Sequence, residues 1–363
     1  MTDAERLLIL NTAEEVGSIR TQALLRDFGS LERVFRAKER EFAEVKEIGP
    51  RIAPKIINAI KETDLAKEIS LIEKHGVEIV TFLDNNYPEN LKNIHSPPIV
   101  IYVKGKILER DNLAIAIVGS RLASFYGLQT AERFGFELAS QGITVVSGLA
   151  RGIDSAGHKG ALKAKGRTLA VLGSGIANIY PGENKKLASD IAENGAVISE
   201  FPMDVIPDKV NFPKRNRVVS GLSLGVVVVE AGEKSGSLIT ADFALDEGKE
   251  VFAVPGKVDS INSRGTNRLI KQGAKLTSVV EDITEELEGY LPSVKTAGIK
   301  NNLSSVLDKN ENLVYTLLSS DPMHIDDICR ESGIAFNKLA NILLGMEIRK
   351  LAKQLPGKNF VKI

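Results

Sequence analysis

Within nine positions, Lys209-Val210-Asn211-Phe212-Pro213-Lys214-Arg215-Asn216-Arg217 gathers four basic residues, one aromatic ring and no carboxylate. Ammonium and guanidinium groups hold phosphates, and a ring offers a sequence-tolerant stacking face for a base. Pro213 is expected to fix a turn in this segment. A second cluster, Val118-Gly119-Ser120-Arg121, ends a short apolar run and precedes a helix-length segment. Glycine lets a phosphate approach the backbone, Ser120 adds a hydroxyl, and Arg121 can clamp the anion with its planar fork. The spacing departs from the G-x-G-x-x-G fingerprint, which disfavours NAD binding. A third turn, Glu230-Ala231-Gly232-Glu233-Lys234-Ser235-Gly236, sets Ser235 and Gly236 at a helix start, again an anion cradle. Asp154 and His158 stand four apart. That spacing fits either an acid–base pair on one helix face or a helix cap beside a satisfied polar contact. No nucleophile or metal-ligand set accompanies them, so no catalytic residue, metal or cofactor is assigned.

The cradles need a scaffold, and the hydrophobic pattern supplies one. Short apolar runs at 113–118, 143–146, 168–172, 196–198, 225–229, 250–254 and 275–279 alternate with helix-length segments. Strands apolar on both faces and separated by helices predict an α/β domain, its mostly parallel sheet doubly wound in an extended Rossmann-like manner. Ligands of such sheets lie beyond the carboxyl ends of the strands, where all three cradles fall. Two further extended runs, at 77–82 and 99–103, lead into this region. The first 75 residues read as helices. Their Glu47-Ile48-Gly49-Pro50-Arg51 turn fits a helix-hairpin-helix (SAM-like) unit that points N–H groups at a phosphate, or an ordinary helical packing unit. The expected division is a helical domain at 1–75, a Rossmann domain at 76–288, a linker at 289–305 and a winged-helix domain at 306–363. The last domain shows three helical segments and a terminal hairpin, with six Lys/Arg against one Glu from residue 336 onward.

Composition narrows the classes. With 47 basic and 47 acidic residues among 363, the chain carries no bulk positive charge, so a nucleic-acid site must come from local clustering. The single cysteine, Cys329, excludes an internal disulfide and a Cys-rich zinc site. No apolar run approaches the roughly 18 residues of a membrane span, and the first residues lack a signal core. A cytoplasmic protein that does not engage membranes is expected.

In this order the blocks resemble the DNA-processing protein A (DprA/Smf) family. The resemblance is carried by Gly119-Ser120-Arg121, Ser147-Gly148-Leu149-Ala150-Arg151-Gly152-Ile153-Asp154 with His158, and Tyr180-Pro181 with Asn184. It continues through Phe212-Pro213-Lys214-Arg215-Asn216-Arg217, Val229-Glu230-Ala231, Ser235-Gly236-Ser237-Leu238 and Val254-Pro255-Gly256. It implies a binding protein that holds single-stranded DNA, with weaker duplex binding, and loads the RecA recombinase onto it in natural transformation and homologous recombination. It also implies a homodimer formed through the Rossmann domain. Carried over by motif, Arg121, Lys209 and Phe212 are the principal DNA contacts, and Gly119, Ser120, Arg215, Asn216, Arg217, Ser235 and Gly236 complete the pocket.

Two other classes are weighed against this one. The segment Ser235 to Thr240 is similar to the Gly-Gly-x-Gly-Thr-x-x-Glu turn of phosphoribohydrolases, which cleave nucleoside monophosphates. Thr240 then stands where those enzymes need a carboxylate to support an oxocarbenium-like transition state, with Glu200 and Glu230 as the conceivable substitutes or as partners of Arg215 and Arg217. A sequence-specific repressor would work through 306–363, where Asn337, Lys338 and Asn341 are the few base-reading side chains.

Overall fold

The computed structural model describes residues 1–287, 308–319, 321–349 and 351–362. The expected linker at 289–305 lies outside the described residues. Two units are described separately.

The larger unit opens with six helices: α1 (Asp3–Thr12), α2 (Ser18–Phe28), α3 (Leu31–Arg36), α4 (Glu39–Glu44), α5 (Gly49–Glu62) and α6 (Leu65–His75). Gly49 starts α5 with a φ of 62°, a left-handed turn suited to glycine. Four of the cations around this turn are engaged within the unit. Arg51 and Lys55 pair with Glu15, Arg26 pairs with Glu47, and Arg20 donates to the Glu15 and Glu47 carbonyls.

The sheet follows, with β1 (Glu78–Thr81), α7 (Glu89–Lys92), β2 (Val100–Gly105), β3 (Ala114–Val118), α8 (Phe125–Ser140), β4 (Thr144–Ser147), α9 (Ile153–Lys163) and β5 (Thr168–Leu172). Then come α10 (Lys185–Asn194), β6 (Ala196–Ser199), α11 (Asn211–Gly221), β7 (Gly225–Val228), α12 (Gly236–Asp246), β8 (Glu250–Ala253), α13 (Arg264–Lys271), β9 (Lys275–Leu276) and α14 (Glu281–Thr284). Nine strands lie in the order β1-β2-β6-β5-β4-β3-β7-β8-β9. The seven from β3 to β9 run parallel, while β1 and β2 add an antiparallel edge beyond β6.

Alternation along each strand feeds two separate cores. Leu169 and Val171 of β5 face the core built with α11 and α12, whereas Ala170 and Leu172 face the core shared with α10 and the N-terminal helices. Burial on both faces is why these strands read as continuous apolar runs. The chain fills the sheet outward from β3 to β6, then returns to β7 on the other side of β3. The switch in strand order therefore lies between β3 and β7.

Two local readings are corrected. The basic segment after Lys209 is not a turn but the first half of α11. Pro213 sits in that helix's first turn, where its missing N–H costs no intrahelical bond. The last sheet strand is only two residues long.

The second unit holds α15 (Lys309–Leu317), β10 (Met323–His324), α16 (Ile325–Ser332), α17 (Phe336–Ile348), β11 (Ala352–Leu355) and β12 (Asn359–Lys362). Its three strands form a sheet in the order β10-β12-β11 against a core including Ile328, Leu339, Leu343 and Phe360, the winged-helix arrangement. Among the described residues no helix is long and apolar enough to cross a membrane.

Candidate nucleic-acid interface

The turn after β3 is held by close backbone packing. A Cβ on Gly119 would lie 2.7 Å from Ile153 and 2.8 Å from the Glu230 carbonyl, so only glycine fits there. The Ser120 N–H donates to the Glu230 carbonyl at 2.7 Å, and the Ser120 carbonyl accepts from Ile153. The first bond joins the ends of β3 and β7 across the switch point, the second ties the β3 turn to the start of α9, and Arg121 stands exposed beyond them. Its exposed guanidinium lies 5.1 Å from the centroid of the Phe212 ring. Phe212, half-buried in the first turn of α11, rests on Gly173, where a Cβ would approach the ring to 2.7 Å. Tyr180 flanks it with ring centroids 5.7 Å apart. Lys209 is exposed just before the helix and has no ion-pair partner among the described residues.

Arg215 differs from the expectation. It is buried rather than open to a ligand, donating from Nη1 to the Gly148 and Val171 carbonyls and from Nε to Asn216. A Cβ on Gly148 would sit about 2.5 Å from the guanidinium, so that glycine makes room for the plane of Arg215. Burial pushes the Arg215 pKa down to about 10, against the opposing attraction of Asp154. The residue anchors α11 to the ends of β4 and β5. Arg217 is likewise engaged, donating to the Ser96 carbonyl and to the Glu200 carboxylate, whose pKa burial raises and Arg217 opposes. Asn216 donates to the Gly236 carbonyl at 3.1 Å and ties α11 to the start of α12. Ser235 caps α12 by accepting from the Ser237 N–H, and Gly236 is exposed with open space where a Cβ would stand.

Asp154 and His158 do not form a pair. The Asp154 carboxylate accepts from the Gly148 and Ala150 N–H groups, its pKa raised by burial and opposed by Arg215. His158 Nδ1 lies 2.6 Å from the Thr168 hydroxyl, which itself donates to the Val145 carbonyl. The ring therefore carries its proton on Nδ1, and burial holds its pKa down to about 3. Asp154 thus braces the loop after β4, while His158 ties α9 to the amino end of β5.

Arg121, Lys209 and Phe212 thus share one sheet edge with Gly119, Ser120, Ser235 and Gly236, while Arg215 and Arg217 serve the scaffold. Sequence reading gave Tyr180 no separate role as a ring partner. It also gave no sign of the exposed aliphatic residues Leu122, Val210, Val258 and Ile261 near this edge.

Residues 78–288 match the family model for DNA recombination-mediator protein A. The chain belongs to the DprA/Smf family. Residues 300–358 match the DprA winged-helix domain and 13–69 a helix-hairpin-helix motif. Protein Smf of Escherichia coli is 47% identical over 276 residues, covering 75% of this chain and 74% of that protein. The crystal structure of Streptococcus pneumoniae DprA superimposes with a TM-score of 0.69 at 32% identity, covering 79% of this chain and 99% of that one. A DNA processing protein A from Helicobacter pylori, described for a unique single-stranded DNA binding mode, gives a TM-score of 0.54 at 30% identity, covering 60% and 97%.

Proposed function

We propose that this DprA/Smf protein binds single-stranded DNA at the β3–β7 switch point. The observation that carries the reading is the Arg121 guanidinium held beside Phe212 at an edge lined by glycine turns, with exposed Lys209 three residues before the ring. A cation next to a half-exposed ring suits a polymer that offers phosphates and unstacked bases together. Phosphates would lie on the Gly119-Ser120 and Ser235-Gly236 turns, clamped by Arg121 and Lys209, with a base stacked on Phe212. The named property of the H. pylori relative supports the same assignment. In the fuller reading the protein protects incoming DNA in the cytoplasm and loads RecA onto it during transformation. A homodimer formed through the Rossmann domain would let one strand bridge two pockets. The domain division 1–75, 76–288 and 306–363, joined by 289–305, belongs to the same proposal.

The phosphoribohydrolase reading is not favoured. Thr240 is buried and uncharged where the carboxylate would be needed, and Glu200 is committed to Arg217. Fluorescence anisotropy with labelled oligo-dT of several lengths, against an equal-length duplex, tests the proposal. Tight, length-dependent and salt-sensitive single-strand binding is expected. Equal affinity for duplex, or base release from nucleoside monophosphates, would overturn it.

A further inference from the structure

The large aliphatic side chains most exposed to solvent are not scattered. Met1 apart, the large hydrophobic residues more than 60% exposed among the described residues are Leu122, Ile206, Val210, Val258 and Ile261, at 62–90%. All five lie in loops leaving the carboxyl edge of the sheet: Leu122 after β3, Ile206 and Val210 after β6, Val258 and Ile261 after β8. Single exposed aliphatics are ordinary, but their concentration on one edge marks a contact surface.

Hydrogen bonds tie this rim to the turns of the site. Leu122 follows Arg121 directly, and its carbonyl accepts from the Asn262 side chain at 3.0 Å. The Asn262 carbonyl in turn accepts from the Ala231 N–H at 2.7 Å. The loop bearing Val258 and Ile261 is thus fastened to the turns after both β3 and β7. On the other flank Val210 adjoins Lys209, its N–H held by Asp208 at 2.7 Å. In sheet order the β6 loop and the β8 loop bracket Phe212, which stands over the end of β5, and Arg121 at the end of β3.

Phosphates gain nothing from aliphatic side chains. Duplex DNA buries its base faces and presents mainly phosphate and sugar to such a surface, whereas a single strand offers the faces themselves. We infer that these five aliphatics form an apolar rim that packs on unstacked nucleobases flanking the phosphates held by Arg121 and Lys209. The rim is then the part of the site that separates single strands from duplex. Its side chains carry no hydrogen-bonding group, so the contact tolerates any base order. This inference rests on the DNA-binding reading above and names which part of the strand each part of the site takes.

The test compares the full chain with its Leu122→Ser/Val258→Ser/Ile261→Ser variant. Anisotropy is read on oligo-dT and on an abasic deoxyribose-phosphate strand of equal length. The wild type should prefer dT over the abasic strand. The variant should lose about tenfold on dT through partial burial of three aliphatics. Its affinity for the abasic strand and its salt slope should stay within twofold, which also shows that it is folded. Equal losses on both strands would overturn the inference. So would unchanged dT affinity with an altered oligomeric state by light scattering, which would reassign the rim to an interface between copies. Salt-sensitive wild-type binding with no preference for dT over the abasic strand would overturn the rim and leave the DNA-binding reading standing. Absence of wild-type binding to either strand would overturn both.

Discussion

Arg121→Ala separates a phosphate clamp from a structural arginine, because the side chain has so little else to do. It is exposed, and its one described side-chain contact is with the Phe212 ring at 5.1 Å. Losing that contact costs about 0.5–1 kcal/mol of stability, so the variant should fold normally. On DNA the loss is larger. A charge-assisted hydrogen bond is worth about 1.5–3 kcal/mol, or roughly 10- to 150-fold in affinity. Removing one phosphate contact on a single strand should also flatten the slope of log affinity against log salt by about 0.7. Between 50 and 200 mM salt the gap between wild type and variant should therefore narrow by about 2.6-fold. Arg121→Lys keeps the charge but loses the planar fork, so it should recover the slope and only part of the affinity. The assay is anisotropy on oligo-dT over a salt series, with circular dichroism to check the fold. A wild-type slope in Arg121→Ala would refute the clamp even if affinity fell.

The remaining expectations follow from the same geometry. Phe212→Ala should weaken oligo-dT binding by roughly 5- to 150-fold with an unchanged salt slope, since stacking is worth about 1–3 kcal/mol per base; equal losses on duplex in the same titration would argue against stacking. Arg215→Met should cost about 2–5 kcal/mol of stability in urea denaturation, because two buried carbonyls lose their donor and Asp154 loses its counter-charge; a cost below about 1 kcal/mol would contradict the anchor. Gly148→Ala should destabilise the wild type more than it destabilises Arg215→Met, since its Cβ meets the guanidinium, and a double-mutant cycle measures the difference. His158, with a native pKa near 3 against 6.5 when unfolded, contributes full stability above pH 6.5. As pH falls the unfolded chain takes a proton that the native ring refuses, so about 1.4 kcal/mol per pH unit is lost, and His158→Gln should flatten that dependence in melts between pH 6 and 4.

The sheet was legible because its strands are buried on both faces and leave unbroken apolar runs, as at Ala114 to Val118. The turn after β3 was legible because glycine is demanded where Gly119 meets Ile153. Helix α11 was hidden: its first seven residues are polar or basic apart from Phe212 and Pro213, and the buried Val218 and Val219 lie beyond that motif. Arg215 could not be placed from its type, since an arginine reads as surface until its acceptors are known. Those acceptors, Gly148 and Val171, lie 67 and 44 residues away in sequence. Exposed aliphatics such as Val258 could not be placed from their type for the converse reason.

One helix carries the division between site and scaffold. At about 100° per residue, Phe212 and Arg215 lie only about 60° apart on α11 and share one side, with Arg215 a turn further along, whereas Arg217 leaves the axis on roughly the opposite side. Phe212 meets Arg121, Arg215 enters the ends of β4 and β5, and Arg217 turns to Ser96 and Glu200. A basic motif that looks like one cationic surface in sequence is thereby divided by depth and by rotation: Phe212 stays half-exposed, Arg215 is buried a turn further along the same side, and Arg217 is engaged on the other side. The split orders the variants. Substitutions at Arg121 and Phe212 should move binding with little change in stability. Those at Arg215 should move stability first and binding only as far as Phe212 loses its seat on Gly173. A folded Arg215→Met protein of wild-type stability that had lost DNA would reverse that order, and would return Arg215 to the ligand face.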